Sequence, residues 1–278
     1  MTLRERVRRW RLYYRSRPLF QEMLARPSLA WRLPWMRAQR SVEVRFRTGR
    51  TARLRAGQWP LLPSACRLER IGAEYEFLDD AKRVRIDGLT MYSPLWTRDE
   101  AAYYREVFLD DVYGIRGRDL SGRVVVDVGA YVGDSAIAFA RRGAHVHAFE
   151  PAATFCGFIR RNLAANRLAE RVTLHEVGLG ERDEYVDTRH DRLHLVEGVQ
   201  YALAHLPPHV ELLKLDCEGA EYHLLSDARF LRHLAPRQIR MEYHRGLDPV
   251  RAALEEAGYA IEVLRPGAVV GLLSAVKR

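Results

Sequence analysis

Lysine is almost missing from this chain of 278 residues: of its 45 basic residues only Lys82, Lys214 and Lys277 are lysine, and the remainder are arginine. Cysteine is equally scarce. Cys66, Cys156 and Cys217 stand far apart, with no C-x-x-C pair and no histidine at metal-ligand spacing, which argues against a zinc or redox pair and for three reduced structural thiols. No run approaches about 18 apolar residues, and the Arg-rich N-terminus has no apolar h-region. A soluble cytoplasmic protein without a cleaved signal is expected. The length exceeds one small domain, so a catalytic domain with an extension is the natural reading.

Charge is uneven. Residues 1–60 hold 16 arginines and 3 acids, so the formal excess of +9 is entirely N-terminal. Such asymmetry points to an anionic partner, whether nucleic acid, a membrane surface or a phosphorylated substrate; a coding bias toward arginine is the competing explanation. Residues 1–40 read as a basic helical arm interrupted by Pro27 and Pro34. Trp10, Trp31 and Trp35 in this arm suit either a packed side or contact with a membrane or with bases. Residues 41–95 read as a small β-rich unit: Val42, Val44 and Phe46 alternate with charges, Thr48-Gly49 turns the chain, and further strands are expected at 73–77 and 84–91. A helix is expected over 99–113, with Thr97 and Glu100 as a capping box. From 96 to 278 strands and helices then alternate, as in a doubly wound α/β sheet, until 259–264 and 269–276 close the chain as a hairpin.

Residues 124–133, Val-Val-Val-Asp-Val-Gly-Ala-Tyr-Val-Gly, carry the first chemical motif. A Val run needs burial on both faces, and the turn after it delivers a helix whose N-terminal N–H groups point at a ligand. Gly129 and Gly133 permit close approach. Glu150 follows at the end of the next strand, where a carboxylate accepts from ribose hydroxyls. The glycines are G-x-x-x-G, with Tyr131 where a pyrophosphate-binding turn needs glycine, and Asp127 adds a negative charge. Both features favour a cationic adenosine ligand, S-adenosylmethionine, over a dinucleotide. The second motif, Lys-Leu-Asp-Cys-Glu-Gly-Ala-Glu at 214–221, sets Asp216 and Glu218 on one side of an extended segment at the ligand-binding edge of the sheet. Glu221, in the first turn of the next helix, is expected to serve the helix dipole.

Taken in order, Asp-Val-Gly-Ala-Tyr-Val-Gly-Asp-Ser, Ala-Phe-Glu-Pro, Val-Gly-Leu-Gly, Lys-Leu-Asp-Cys-Glu-Gly-Ala-Glu and Met-Glu-Tyr-His resemble the FkbM family of S-adenosylmethionine-dependent methyltransferases over about residues 100–278. The resemblance implies a class I, Rossmann-like methyltransferase fold, a mostly parallel sheet with an antiparallel C-terminal hairpin, and O-methylation of a sugar, polyketide or related hydroxylated product. It does not reach residues 1–95. By the same resemblance Asp127, Gly129, Ala130, Tyr131 and Gly133 surround the methionine part of the donor. Asp134 and Ser135 reach its amino-acid end, Glu150 with Pro151 holds the ribose, and Val177 and Gly178 lie near adenine. Cys217 departs from the small or aliphatic residue usual in the family.

Methyl transfer from a sulfonium depends on positioning, and a neutral hydroxyl also needs a base. His244, at the end of the fifth strand, is the candidate base, with Asp216 or Glu218 as the alternative. The same groups offer ligands for a magnesium-like cation, although no diagnostic spacing is present. Three functions stay open at this point: O-methylation of a small-molecule or glycan-like acceptor, methylation of RNA gripped by residues 1–60, and a cofactor-binding module without catalysis.

Overall fold

A computed structural model describes residues 3–32 and 41–278. Residues 33–40, with Pro34 and Trp35, lie outside the described residues. Two compact units divide at Leu109/Asp110.

The first unit opens with α1 (Leu3–Met23) and α2 (Ser28–Arg32), which end and begin around Pro27. Trp10 packs on Tyr14 and, edge-on, on Trp31 at 4.4 Å, while Trp31 stays exposed. The expected hairpin forms as β1 (Ser41–Arg45) and β2 (Thr51–Arg55), with Val42 opposite Leu54 and Val44 opposite Ala52. Between 56 and 70 the chain is helical, ending in α3 (Leu62–Arg70), where sequence reasoning saw no element. Pro63 sits in its first turn, where a missing N–H costs nothing. β3 (Glu74–Phe77) follows, and the single strand expected at 84–91 is instead a hairpin of β4 (Ala81–Ile86) and β5 (Leu89–Pro94). Asp87 and Gly88 turn it, both at positive φ. The helix expected over 99–113 is short: α4 (Glu100–Tyr104) passes into a π-helical turn that stops at Leu109. No capping box forms, because Glu100 is fully buried against the Lys82 ammonium at 2.7 Å and the Ser64 hydroxyl.

The second unit is built on a sheet of seven strands. Its strands are β6 (Val124–Val128), β7 (His145–Phe149), β8 (Val172–His175), β12 (Leu212–Leu215), β13 (Gln238–Tyr243), β14 (Tyr259–Arg265) and β15 (Gly271–Lys277). The order β14-β15-β13-β12-β6-β7-β8 starts from β6 in the middle, runs outward through β7 and β8, and then returns to the other side of β6. Only β15 runs antiparallel to its neighbours, inserted between β13 and β14. This is the doubly wound class I methyltransferase arrangement that the terminal hairpin implied. α5 (Asp134–Arg141), α6 (Ala153–Ala165), α7 (Gly198–His205), α8 (Ala220–Ser226), α9 (Ala228–Leu234) and α10 (Asp248–Glu256) connect the strands. A small sheet of β9 (Gly178–Gly180), β10 (Glu184–Asp187) and β11 (Arg192–Glu197) is inserted before α7. The core strands carry the runs Val-Val-Val and Leu-Leu-Lys-Leu, buried on both faces as parallel strands require. The chain reverses direction across the sheet between β6 and β12, so their carboxyl ends frame the crevice where open α/β sheets bind ligands.

Candidate active site

The first half of the crevice is the turn after β6. Gly129, Tyr131 and Gly133 all have positive φ (85°, 52° and 86°), and the turn feeds the N-terminus of α5. A Cβ at Gly129 would collide with the Asp216 carbonyl oxygen, so glycine here is what lets the two strand ends abut. The Gly129 and Ala130 N–H groups donate to the Phe149 carbonyl, tying the turn to β7. Glu150 completes the turn: its Oε2 accepts from the Tyr131 N–H and its Oε1 from the Ala152 N–H, both at 2.9 Å. Burial pushes the Glu150 carboxyl up to about 7 against those two hydrogen bonds. Pro151 packs beside Gly178, where a Cβ would crowd Leu195 and Pro151; Val177 packs against the same core. The structure therefore brings Gly129, Ala130, Tyr131, Gly133, Glu150, Pro151, Val177 and Gly178 to one end of the sheet.

Asp127 has a partner that the sequence did not point to. It is fully buried and faces Lys214, whose ammonium lies 3.2 Å from its Oδ1. The Ser135 hydroxyl donates to its other oxygen at 2.6 Å. Asp127 and Ser135 thus hold each other, and the Asp127 charge stands beside that of Lys214. Asp134 is also buried, and desolvation pushes its carboxyl up to about 7 despite the Lys214 charge.

The second half lies at the ends of β12 and β13. Glu221 is fully buried, and its carboxylate accepts from the Gly219 N–H, the His244 N–H and the His244 ring Nδ1 at 2.9 Å. It serves the start of α8, as expected, through the Gly219 N–H, and it also orients His244. With Nδ1 held, the other ring nitrogen, Nε2, faces Asp216 Oδ1 at 3.7 Å, Glu218 Oε2 at 3.9 Å and Glu242 Oε1 at 3.6 Å. Burial works against an imidazolium here. The Glu221 hydrogen bond and the charges of Glu221, Glu218 and Asp216 outweigh it, and the His244 pKa lies above its ordinary value. Glu242 is pushed upward by burial and by Asp216, while Arg265 at 2.6 Å holds it in place. Asp216, Glu242 and His244 each place one ligand atom within 4.8 Å of the others, among the described residues the sole grouping of metal-ligand type. Cys217 points to Glu221 at 3.5 Å, and burial holds its thiol well above the ordinary range.

Sequence reasoning missed Glu221 as a positioning group, Glu242 and Lys214. The spacing of Glu221 from Asp216 was the visible signal for the first; nothing local pointed to Glu242 beyond its place two residues before His244.

Residues 185–261 match the family model of the methyltransferase FkbM domain. That stretch, about a quarter of the chain, is similar to the methyltransferase FkbM domain. The match takes in Asp216, Glu218, Glu221, Glu242 and His244 and leaves the 127–135 turn outside it. No curated protein matches the chain. Solved structures similar to the chain include Trm5b from Pyrococcus abyssi, 12% identical with a TM-score of 0.43, covering 73% of this chain and 61% of that one. The chain thus spans less than two thirds of Trm5b. The precorrin-6y C5,15-methyltransferase of Geobacter metallireducens is 20% identical with a TM-score of 0.44, covering 69% of this chain and 95% of that one. M. jannaschii TYW2, solved in complex with AdoMet, is 13% identical with a TM-score of 0.45, covering 72% of this chain and 87% of that one. Likeness at this level leaves the acceptor open.

Proposed function

We propose that this methyltransferase moves a methyl group from S-adenosylmethionine to a hydroxyl of a small-molecule or glycan-like acceptor. The observation that carries the reading is the Glu221–His244 pair, which turns an imidazole Nε2 toward Asp216, the residue whose backbone abuts Gly129.

The residues present fit the donor. Gly129 and Gly133 supply the positive φ that leads the turn into the N-terminus of α5, whose N–H groups suit the donor's carboxylate. Each Glu150 oxygen spends one lone pair on a backbone N–H and keeps another for a ribose hydroxyl. In this reading Ala130, Tyr131, Asp134 and Ser135 shape the methionine end, and Pro151, Val177 and Gly178 the adenine end. S-adenosylmethionine supplies an electrophilic methyl on a sulfonium when bound. The chain's own contribution is positioning and proton removal. His244 carries Nδ1–H toward Glu221, so its neutral ring offers the Nε2 lone pair to the acceptor hydroxyl and takes its proton. The imidazolium that forms is stabilised by Glu221, Asp216 and Glu218. Asp216 and Glu218 also accept hydrogen bonds from neighbouring acceptor hydroxyls, which suits a polyol.

A second reading is favoured by the 4.8 Å grouping of Asp216, Glu242 and His244, a mixed oxygen and nitrogen set able to hold a divalent cation that acidifies the acceptor hydroxyl. Incubating the protein with methyl-labelled S-adenosylmethionine and fractionated cell extract, with and without chelator, tests both. Label in glycan or small metabolites that survives chelation supports the imidazole base; loss of labelling on chelation moves the reading to the cation. Label in RNA, or in no fraction, overturns the proposed acceptor or the proposed donor respectively.

A further inference from the structure

Lys214 takes no part in the chemistry above, yet it is the best-buried cation of the second unit, with 4% of its side chain exposed. It sits within β12, between leucines, and stands in register with Asp127 of β6. Its ammonium touches Asp127 Oδ1 at 3.2 Å and donates to the Gly129 carbonyl at 2.5 Å and the Val128 carbonyl at 3.4 Å. Asp216 Oδ2 lies 4.0 Å away. Three acceptors therefore converge on one nitrogen. A compact ammonium with rotatable donors meets that geometry, and a planar guanidinium does not. In a chain that uses arginine for nearly every other base, lysine persists here and at Lys82, also buried against a carboxylate.

We infer that Lys214 is the positioning residue of the donor site: its ammonium pins the Gly129 carbonyl, and with it the positive-φ turn, while cancelling the Asp127 charge. The groups around it are Asp127 on β6, Asp134 at the start of α5, Asp216 after β12, and Tyr113 ahead of β6. Glu150 also feels its charge from the end of β7. The turn is consequently held by a neutral pair and is shaped before any ligand arrives. Cationic S-adenosylmethionine and neutral S-adenosylhomocysteine then bind with similar affinity, since Asp127 does not steer the sulfonium.

This inference rests on the proposal that S-adenosylmethionine is the donor. Calorimetry with both ligands on the full chain tests it, alongside melting temperatures, for wild type, D127N, K214M and K214M/D127N. K214M leaves a buried carboxylate unpaired and is expected to melt early. The double variant removes both charges. It is expected to keep the wild-type melting temperature and bind both ligands at least roughly tenfold more weakly, the loss of one charge-assisted hydrogen bond. D127N, with its ammonium still on the Gly129 carbonyl, is expected to keep wild-type affinity. Wild-type affinity in the double variant, equal losses in D127N and the double variant, or losses that follow melting temperature would each overturn the inference. If the wild type binds neither ligand, the donor assignment fails instead.

Discussion

His244 has a fixed tautomer because Glu221 has nowhere else to put its charge. A fully buried carboxylate must find donors, and here the Gly219 N–H, the His244 N–H and the His244 ring supply them. The same contact raises the His244 pKa, so a growing share of the ring is protonated as pH falls toward neutrality. A base must be free of its proton to act. Turnover should therefore rise with pH through a value above the ordinary histidine 6.5 and then level off. Replacing His244 with Ala should cost about 100- to 10,000-fold in kcat on the plateau. Replacing Glu221 with Gln should move the rising limb to lower pH as well as slow the plateau, because the neutral amide no longer supports the imidazolium. A limb unmoved in E221Q would remove Glu221 as the positioning group. The types and neighbourhood of Asp216, Glu218 and His244 were legible in the sequence. The direction of Asp127 was not, since its partner Lys214 comes from a strand 87 residues later and only the β6–β12 register brings them side by side.

At the scale of elements, the parts written in local pattern were readable. The Val run of β6, its glycine turn, the alternation of strands and helices, and the reversed β15 all follow from burial on two faces, positive φ and turn residues. The misses have physical causes of the same kind. Pro63 reads as a breaker but stands at the start of α3, where it fits. Asp87-Gly88 is a two-residue hairpin turn set within the alternating segment 84–91. The small β9–β11 sheet pairs through short strands, a buried Gly-Leu-Gly in β9 and a mostly exposed β10 among them, with little hydrophobic period to read. The turn between β6 and α5 is the element on which both halves of the site depend. Gly129→Ala must accommodate a Cβ against the Asp216 carbonyl at a φ of 85°, and it should destabilise the second unit by roughly 2–5 kcal/mol in urea unfolding. A cost near zero would mean that the turn and the 214–221 segment are not locked together.

For the whole molecule, the two units divide the charge, with the arginine excess concentrated in residues 1–60 and the acids around the site in the second unit. Among the described residues no helix is long and apolar enough to cross a membrane. We propose that residues 1–60 meet an anionic partner, a phosphorylated acceptor, RNA or an anionic membrane surface. If the partner is RNA, affinity should fall steeply with salt, by roughly 1000-fold or more between 50 and 200 mM when six or more phosphates are neutralised; a flat response removes RNA as the acceptor. The donor side is independent of that choice and can be tested without knowing the acceptor. Ribose hydroxyls donate to an ionised Glu150, and burial places its pKa at about 7 in the free protein. Donor binding should then release a proton, and affinity should strengthen as pH rises toward about 7 and level off above it. Calorimetric titration of the full chain with S-adenosylmethionine from pH 5.5 to 8 is the most direct measurement. A single site whose affinity climbs in this way, and loses the climb in Glu150→Gln, is the result predicted; no heat of binding at any pH would contradict the account.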